Sequence, residues 1–571
     1  VALKATLGPQ ARTDTLRALA ATELDVLVVG AGVTGAGCAL DAVTRGLAVG
    51  LVEARDFAAG TSSRSTKLFH GGLRYLEQLN FHLVFEALKE RKLALEKLCP
   101  HLAKPVQFIY PLRRRLIDRG YAGLGIGVYD VMGAGRGVPS HLKHLSRRQT
   151  LASFPSADRE ALVGAISFYE GQVDDARHTM SLARTAAAYG ALVATSTRVV
   201  GFLREADRVT GVRVRDLETG DEFEIRAKQT INATGVWIDD LQEMVGGRGQ
   251  FRVRASKGIH LVVPRNRINS LTGLITRTEK SLLFIVPWGS HWILGTTDTD
   301  WKLDLAHPAA SRADIDYVLG HANALLADKL TRDDVVGVYA GLRPLLSGES
   351  DSTSKLSREH AVASPVRGLV VIAGGKYTTY RVMAKDAVDA AVHDLAGDKV
   401  VPASCTEDVP LIGAEGYHGL WNGRALIAER RGLRESHVEH LLNRYGSLVE
   451  EIWALLEERP ELAEPLASAP EYLQVEAVYA ASHEGALHLD DILARRTRIS
   501  IETWDRGVAA AGEVAALVAP VLGWDDAAVA REVEHYAKRV AAERESQTQP
   551  DDRTADAARL GAPDVRVNAP A

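Results

Sequence analysis

Residues 24–53 read LDVLVVGAGVTGAGCALDAVTRGLAVGLVE. An apolar run, a glycine-rich turn, a helical stretch and a second apolar run follow one another within the span of one βαβ unit. Gly30, Gly32 and Gly35 fill the G-x-G-x-x-G pattern at the turn. Gly30 permits the tight turn, Gly32 lets backbone approach a pyrophosphate, and Gly35 lets helix and strand pack closely. The helix N-terminus turns free N–H groups and the positive end of its dipole toward those phosphates. Glu53 ends the second strand 18 residues after Gly35. Its carboxylate suits a ribose 2′-hydroxyl and disfavours a 2′-phosphate. Strand, helix, second strand and acid in register predict a bound dinucleotide. The unit alone does not separate FAD from NAD.

The stretches that follow do separate them. Residues 60–67, GTSSRSTK, form a polar run just after the second strand, and 68–76 continue as LFHGGLRYL. Ile231-Asn232-Ala233-Thr234-Gly235 ends another strand in a small turn, and residues 373–381 read AGGKYTTYR. Each is a strand-end loop of small, hydroxylic and glycine residues, far apart in sequence. That pattern suits a long, extended cofactor touched by many backbone amides, which is FAD. The expected cofactor contacts are Gly30, Gly32, Gly35, Glu53, Thr61, Ser62, Ser65, Lys67, His70, Gly71 and Gly72, with Ala233, Thr234, Gly235, Gly375, Lys376 and Thr378 from the later loops.

The surrounding chain is ordinary globular sequence. It has 571 residues, 46% hydrophobic and 25% charged, with a net charge of −5. A nucleic-acid-binding polycation is therefore not expected. Three cysteines, Cys38, Cys99 and Cys405, match no zinc or redox spacing and no disulfide scaffold. A reducing, cytoplasmic-type compartment is expected, and no metal. No run reaches the ~20 apolar residues of a bilayer-spanning helix, and residues 1–22 lack the apolar core of a secretory signal.

Residues 192–232 alternate apolar and polar residues and read as a β-meander turning near 206–207 and 220–221. Strands are expected at 260–264, 282–287, 292–297 and 368–375, and a helix from 378 to about 395. From about 419 to 540 the pattern is helical, after a linker near 402–410. The expected fold class is α/β (α+β over the whole chain). It comprises a Rossmann-type FAD-binding domain, an interleaved mixed-sheet substrate domain and an all-α C-terminal domain. Residues 1–22 are read as an N-terminal tail and 23–403 as the core. Within the core the FAD-binding parts are about 23–104, 165–255 and 360–400, and the substrate-binding parts about 105–164 and 256–359. Residues 404–544 form the helical domain and 545–571 a mobile tail.

The ordered set of motifs resembles the FAD-dependent glycerol-3-phosphate dehydrogenases of the respiratory type, among the D-amino-acid-oxidase-like flavoproteins. The residues that carry it are VVGAGVTGAG at 28–37, GTSSRSTKLFHGGLRYLE at 60–77, NATGVWID at 232–239 and KGIHLVVP at 257–264. IVPWGSHWILGTTDTD at 285–300, GLRPLLSGESDSTSKLSREH at 341–360 and GGKYTTYR at 374–381 continue it. DDILARRTRIS at 490–500 and LGWDDAAVAREVEHY at 522–536 match the C-terminal domain. The resemblance covers roughly residues 24–540.

It implies hydride transfer from C2 of sn-glycerol 3-phosphate to FAD, giving dihydroxyacetone phosphate, with a quinone as acceptor. Such a substrate is a small dianion, so its site needs fixed cations and a proton acceptor. Arg74, Arg343 and Lys376 stand in three glycine-flanked loops and are expected at the phosphate and hydroxyls. Tyr75 and Thr379 are further substrate candidates, although a tyrosine beside Leu76 ordinarily packs. A lone histidine in an apolar strand is ordinarily a satisfied core residue; the family motif makes His260 the candidate base. Asp298 and Asp300 read as loop anchors.

The basic run Arg113-Arg114-Arg115 beside an apolar, glycine-rich stretch to Gly133 reads either as a peripheral contact with an anionic membrane or as a helix with a solvated face. Rival readings are a glycerol-3-phosphate oxidase using oxygen, an amino-acid-type flavin oxidase, and a non-catalytic flavin-binding interaction protein. Homo-oligomerisation stays open.

Overall fold

The structure, a computed structural model, describes residues 5–70, 81–113, 143–246, 252–279, 281–347, 359–395 and 400–566. Arg74, Tyr75, Gly71, Gly72 and nearly all of the basic, glycine-rich stretch from 113 to 133 lie outside the described residues.

The strand Leu24–Val29 is buried at every position, as its apolar run Val26–Val29 requires of a central parallel strand, and Asp25 near its start pairs with Lys228 at 2.8 Å. It pairs in parallel with Val49–Val52 on one side and Glu222–Asn232 on the other. The parallel set extends to Leu192–Ala194 and Leu369–Gly374, and His360–Val366 closes one edge antiparallel. The meander 197–216 returns through two antiparallel pairings into Glu222–Asn232. Three helices, Val33–Thr44, Asp175–Ala188 and Tyr380–Leu395, cover one face with a shared apolar core. Gly35 makes the first of these possible: a Cβ there would stand 1.8 Å from the carbonyl oxygen of Gly30.

The second sheet is mostly antiparallel. Its spine pairs Val253–Pro264 with both His291–Gly295 and Gly337–Leu346. It runs on through Leu282–Trp288, Gly273–Arg277, Ala103–Leu112 and Gly164–Val173 to Leu68–Phe69. The helix Arg312–Asn323 backs it with a second core. Leu68–Phe69 and all but the first residue of Gly164–Val173, expected within the FAD-binding parts, therefore belong to this sheet. The chain crosses between the two sheets more often than the assigned boundaries allow.

The C-terminal region is helical apart from a two-stranded ribbon of Pro465–Leu466 and Ala469–Leu473. It is joined to the core by buried ion pairs. Asp56, fully buried, accepts from Arg495 at 2.6 Å and from Arg496 at 2.7 Å. Arg498 reaches Asp174 and Asp175, and Arg177 forks onto Glu484. Buried pairs add little net stability, yet removing one partner costs about 3–5 kcal/mol. Such a seam fixes how the two parts register.

Both ends differ from expectation. Residues 1–22, read as a tail, contain the helix Pro9–Ala21, with Leu19 buried and Arg12 paired to Asp216 at 2.7 Å. Residues 545–571, read as a mobile tail, continue the long helix Asp526–Ser546 and form a further helix, Asp552–Arg559. Arg559 and Arg566 are buried. Polar, proline-containing composition suggested disorder; residues 545–566 are held by ion pairs to distant residues, which composition does not display.

Candidate active site

Loops from both sheets meet in one cavity of about 960 Å³. Brought to it are the turn 30–34, the polar run 59–66, the strand start 197–199, the turn 233–237 and the loop 374–377. These are strand-end loops at the carboxyl edge of a parallel sheet, where such sheets bind ligands. Loops hundreds of residues apart thus surround a single elongated space, as an extended dinucleotide requires.

Glu53 is on the wall. Its two carboxylate oxygens accept from the backbone N–H groups of Ala31, at 2.8 Å, and Arg55, at 2.9 Å, and burial raises its pKa. Each oxygen keeps a lone pair for a ribose hydroxyl. Ser62 lines the cavity and accepts from the N–H of Val33 at 2.9 Å, holding the start of the glycine-turn helix. Thr61, Ser65, His70, Ala233, Thr234, Gly235, Gly375 and Lys376 also face the space. Thr61 donates to Leu342 O at 2.6 Å and Ser65 to Asp175 at 2.7 Å, so the loop is tied down before any ligand arrives. Gly32, Gly30 and the small residues at 233–235 leave backbone exposed to the space, which is the cradle a pyrophosphate needs.

Besides Gly35, which packs against the Gly30 carbonyl, three expected contacts are not on the wall. Lys67 is fully buried behind it, its Nζ 2.8 Å from Asp175 and bonded to Ser63 O. Burial and Arg498 push its ammonium down in pKa, and Asp175 opposes them. Thr378 and Thr379 are buried in the turn after Lys376, with the Thr378 hydroxyl donating to His70 O. All three shape the loops rather than line the site.

The second sheet brings two candidate residues to the cavity. His260 and Arg343 lie on neighbouring strands and, with Lys376, line the same cavity. His260 stacks on Tyr339, with ring centroids 4.7 Å apart. Its Nε2 is 2.9 Å from the Thr66 hydroxyl. Its Nδ1 is buried with no hydrogen-bond partner among the described residues. Burial, then Arg343 and Lys67, hold its pKa well below 6.5, so the ring is neutral near pH 7. Glycines make room for both side chains. A Cβ on Gly295 would stand 2.4 Å from the His260 ring, and one on Gly258 would stand 2.4 Å from the Arg343 guanidinium. Arg343 donates to the Thr296 hydroxyl at 2.9 Å and to Thr297 O at 3.2 Å, which fixes the plane of its fork. Asp298 and Asp300 act as anchors: Asp298 accepts from Ser256 at 2.5 Å and Asp300 pairs with Arg254 at 2.6 Å.

Some lining residues had not been singled out. Thr34, Arg64, Thr66 and Trp237 sit inside quoted motifs, so neighbourhood in sequence was an available signal. Arg64 is held down to about 10 in pKa by burial and by the nearby Arg495 and Arg55. Arg198 and His307 carry no such signal, nor do Leu560 and Ala562–Arg566.

A long dinucleotide cavity walled by loops of both sheets, with a neutral histidine and cationic side chains beside it, suits a flavin-dependent oxidoreductase. The comparisons agree. Residues 25–389 match the family "FAD dependent oxidoreductase", and 404–529 match the "C-terminal domain of alpha-glycerophosphate oxidase". "Glycerol-3-phosphate dehydrogenase 2" of Mycobacterium tuberculosis is 58% identical over 563 residues, covering 99% of this chain and 96% of that one. The mitochondrial glycerol-3-phosphate dehydrogenase of Homo sapiens is 37% identical, covering 88% of this chain and 71% of that one. The crystal structure of the Bacillus halodurans glycerol-3-phosphate dehydrogenase complexed with FAD superposes with a TM-score of 0.77 at 29% identity, covering 94% of this chain and 98% of that one. The chain belongs to the FAD-dependent oxidoreductases, in the glycerol-3-phosphate dehydrogenase family, and its cofactor is FAD.

Proposed function

We propose that this chain oxidises sn-glycerol 3-phosphate at C2 to dihydroxyacetone phosphate and that the electrons leave to a quinone. The observation that carries the reading is the meeting of His260, Arg343 and Lys376 on one cofactor cavity. Bound FAD supplies the acceptor for the hydride from C2. Arg343, its fork held by Thr296 and Thr297, binds the phosphate oxygens, and Lys376 adds a second charge. Arg74 joins them on the strength of its motif. Tyr75 and Thr379 are not needed for this arrangement.

His260 takes the C2 hydroxyl proton. Its low pKa leaves the ring neutral and able to accept. Arriving phosphate offsets the positive field of Arg343, which raises the imidazole pKa when the proton must be held. Thr66, at 2.9 Å from Nε2, orients the ring.

A quinone dissolved in lipid entails peripheral contact with the membrane, at its cytoplasmic face. Among the described residues no helix is long and apolar enough to cross a membrane. The acceptor is tested by steady-state turnover of glycerol 3-phosphate with a soluble quinone analogue against turnover with dissolved oxygen alone. Faster turnover with the quinone by about tenfold or more (~1.4 kcal/mol in barrier) is expected. Equal rates accompanied by stoichiometric hydrogen peroxide would make the chain an oxidase.

A further inference from the structure

The chain does not end at its last long helix. Beyond Ser546 it turns back over the core, and residues 560–566 reach the cofactor cavity. Leu560, Ala562, Pro563, Asp564 and Arg566 line the part of it where Glu53 and Arg55 stand. We propose that residues 552–566 are a clasp belonging to the FAD site, closing the cavity over the adenosine half of the cofactor.

The first support for it is position. Glu53 marks where the adenosine ribose lies, by the chemistry of its carboxylate at the end of the second parallel strand. Asp564 pairs with Arg55, two residues beyond Glu53, at 3.0 Å. Arg566 donates to the hydroxyl of Ser196, one residue before the lining stretch 197–199, at 2.8 Å. The segment is thus fastened to the two loops that flank the adenosine position.

The second is how it is held. Asp552 pairs with Lys257 at 2.5 Å, and Lys257 also holds Asp314. Arg559 lies 3.3 Å from the His307 ring and 3.6 Å from Glu543. Arg566 also reaches Asp491, at 3.3 Å. These partners come from the FAD-binding sheet, the substrate sheet and the helical domain. A segment tied to all three has one position, and Ala555 adds an apolar anchor, fully buried in a cluster with Val236, Trp301 and Leu342.

The third is an unexplained surface. Leu560 is 51% exposed although it stands on the cavity wall between buried Arg559 and buried Ala562. A flat aromatic base against it would remove that apolar area from water.

The test reads FAD release without substrate, so it stands apart from the assignment of glycerol 3-phosphate. Holoprotein is diluted into buffer, and the rise of free-flavin fluorescence gives the release rate. Three forms are compared with the full chain: a truncation after Pro550, Arg566→Ala and Leu560→Asp. Loss of a charged hydrogen bond or of the apolar cover should speed release about ten- to hundredfold in each. Circular dichroism of the apoproteins checks the fold. Leu560 is half exposed, so Leu560→Asp keeps the question answerable if the truncation fails to fold. Release at the full-chain rate in a folded truncation, or in folded Leu560→Asp, overturns the clasp. Slower release also overturns it, because the segment would then compete with FAD.

Discussion

His260 sits in a buried strand and would pass for packing but for the surroundings of its ring. One nitrogen meets the Thr66 hydroxyl, the other has no partner among the described residues, and Gly295 is kept bare to admit the ring. Replacing it should therefore cost chemistry more than stability. His260→Ala is expected to slow anaerobic flavin reduction by about 10²–10⁴-fold at saturating substrate. A loss under about threefold in stopped-flow traces of a folded variant would return His260 to the core. Arg343 is expected to act on the phosphate. Arg343→Ala should lose about one to two decades in kcat/KM for glycerol 3-phosphate, as one charge-assisted hydrogen-bonding group does. Glycerol should lose much less, and Arg343→Lys should recover only part, since lysine lacks the planar fork. Equal losses for both substrates would move Arg343 to the alcohol end. At this scale the sequence was readable where a residue's neighbours along the chain determine its job, as with Gly30–Gly35 and Glu53. Lys67 misled because its partner, Asp175, comes from another element entirely. A lysine in a polar loop reads as a ligand group until the fold supplies its counter-ion.

Elements built on local periodicity were the most legible. Val26–Val29 and Leu369–Ile372 are apolar runs and the meander alternates, so both patterns survive without tertiary knowledge. The ends of the chain were not legible, because long-range ion pairs order them. The same seam gives a pH prediction. His488, in the helical domain, lies between Glu532, at 2.9 Å, and Glu218 of the meander, at 3.1 Å. Burial and Arg566 work against its charge, but the two glutamates prevail and lift its pKa from 6.5 to about 9. Its proton is held in the folded state and lost from the unfolded chain between these values. The stabilisation is complete below pH 6.5, declines with rising pH and is gone above about 9, a span of about 3 kcal/mol. Urea unfolding at pH 6.5, 8 and 9.5 checks it: His488→Gln should lose less stability than wild type across that range. Parallel losses in the two proteins would show that the seam does not hold the charge.

For the whole molecule, the two sheets interleave so that one supplies the dinucleotide cradle and the other the proposed reacting groups, His260 and Arg343. The helical domain then locks their register. It does so through Arg498, which pairs with Asp175, and Asp175 in turn holds Ser65 and Lys67 of the flavin loop. The helical domain thus reaches the active site through buried charge. The account's central claim is that this cavity couples phosphate recognition to oxidation of the adjacent alcohol. Its most direct test is the visible spectrum of the purified holoprotein under anaerobic conditions, titrated with sn-glycerol 3-phosphate and, separately, with glycerol. The flavin band should bleach stoichiometrically with the phosphate ester. Glycerol should need a concentration higher by several orders of magnitude, at ~1.4 kcal/mol per decade for each interaction lost. A flavin that stays yellow with glycerol 3-phosphate, or bleaches equally well with glycerol, would contradict it.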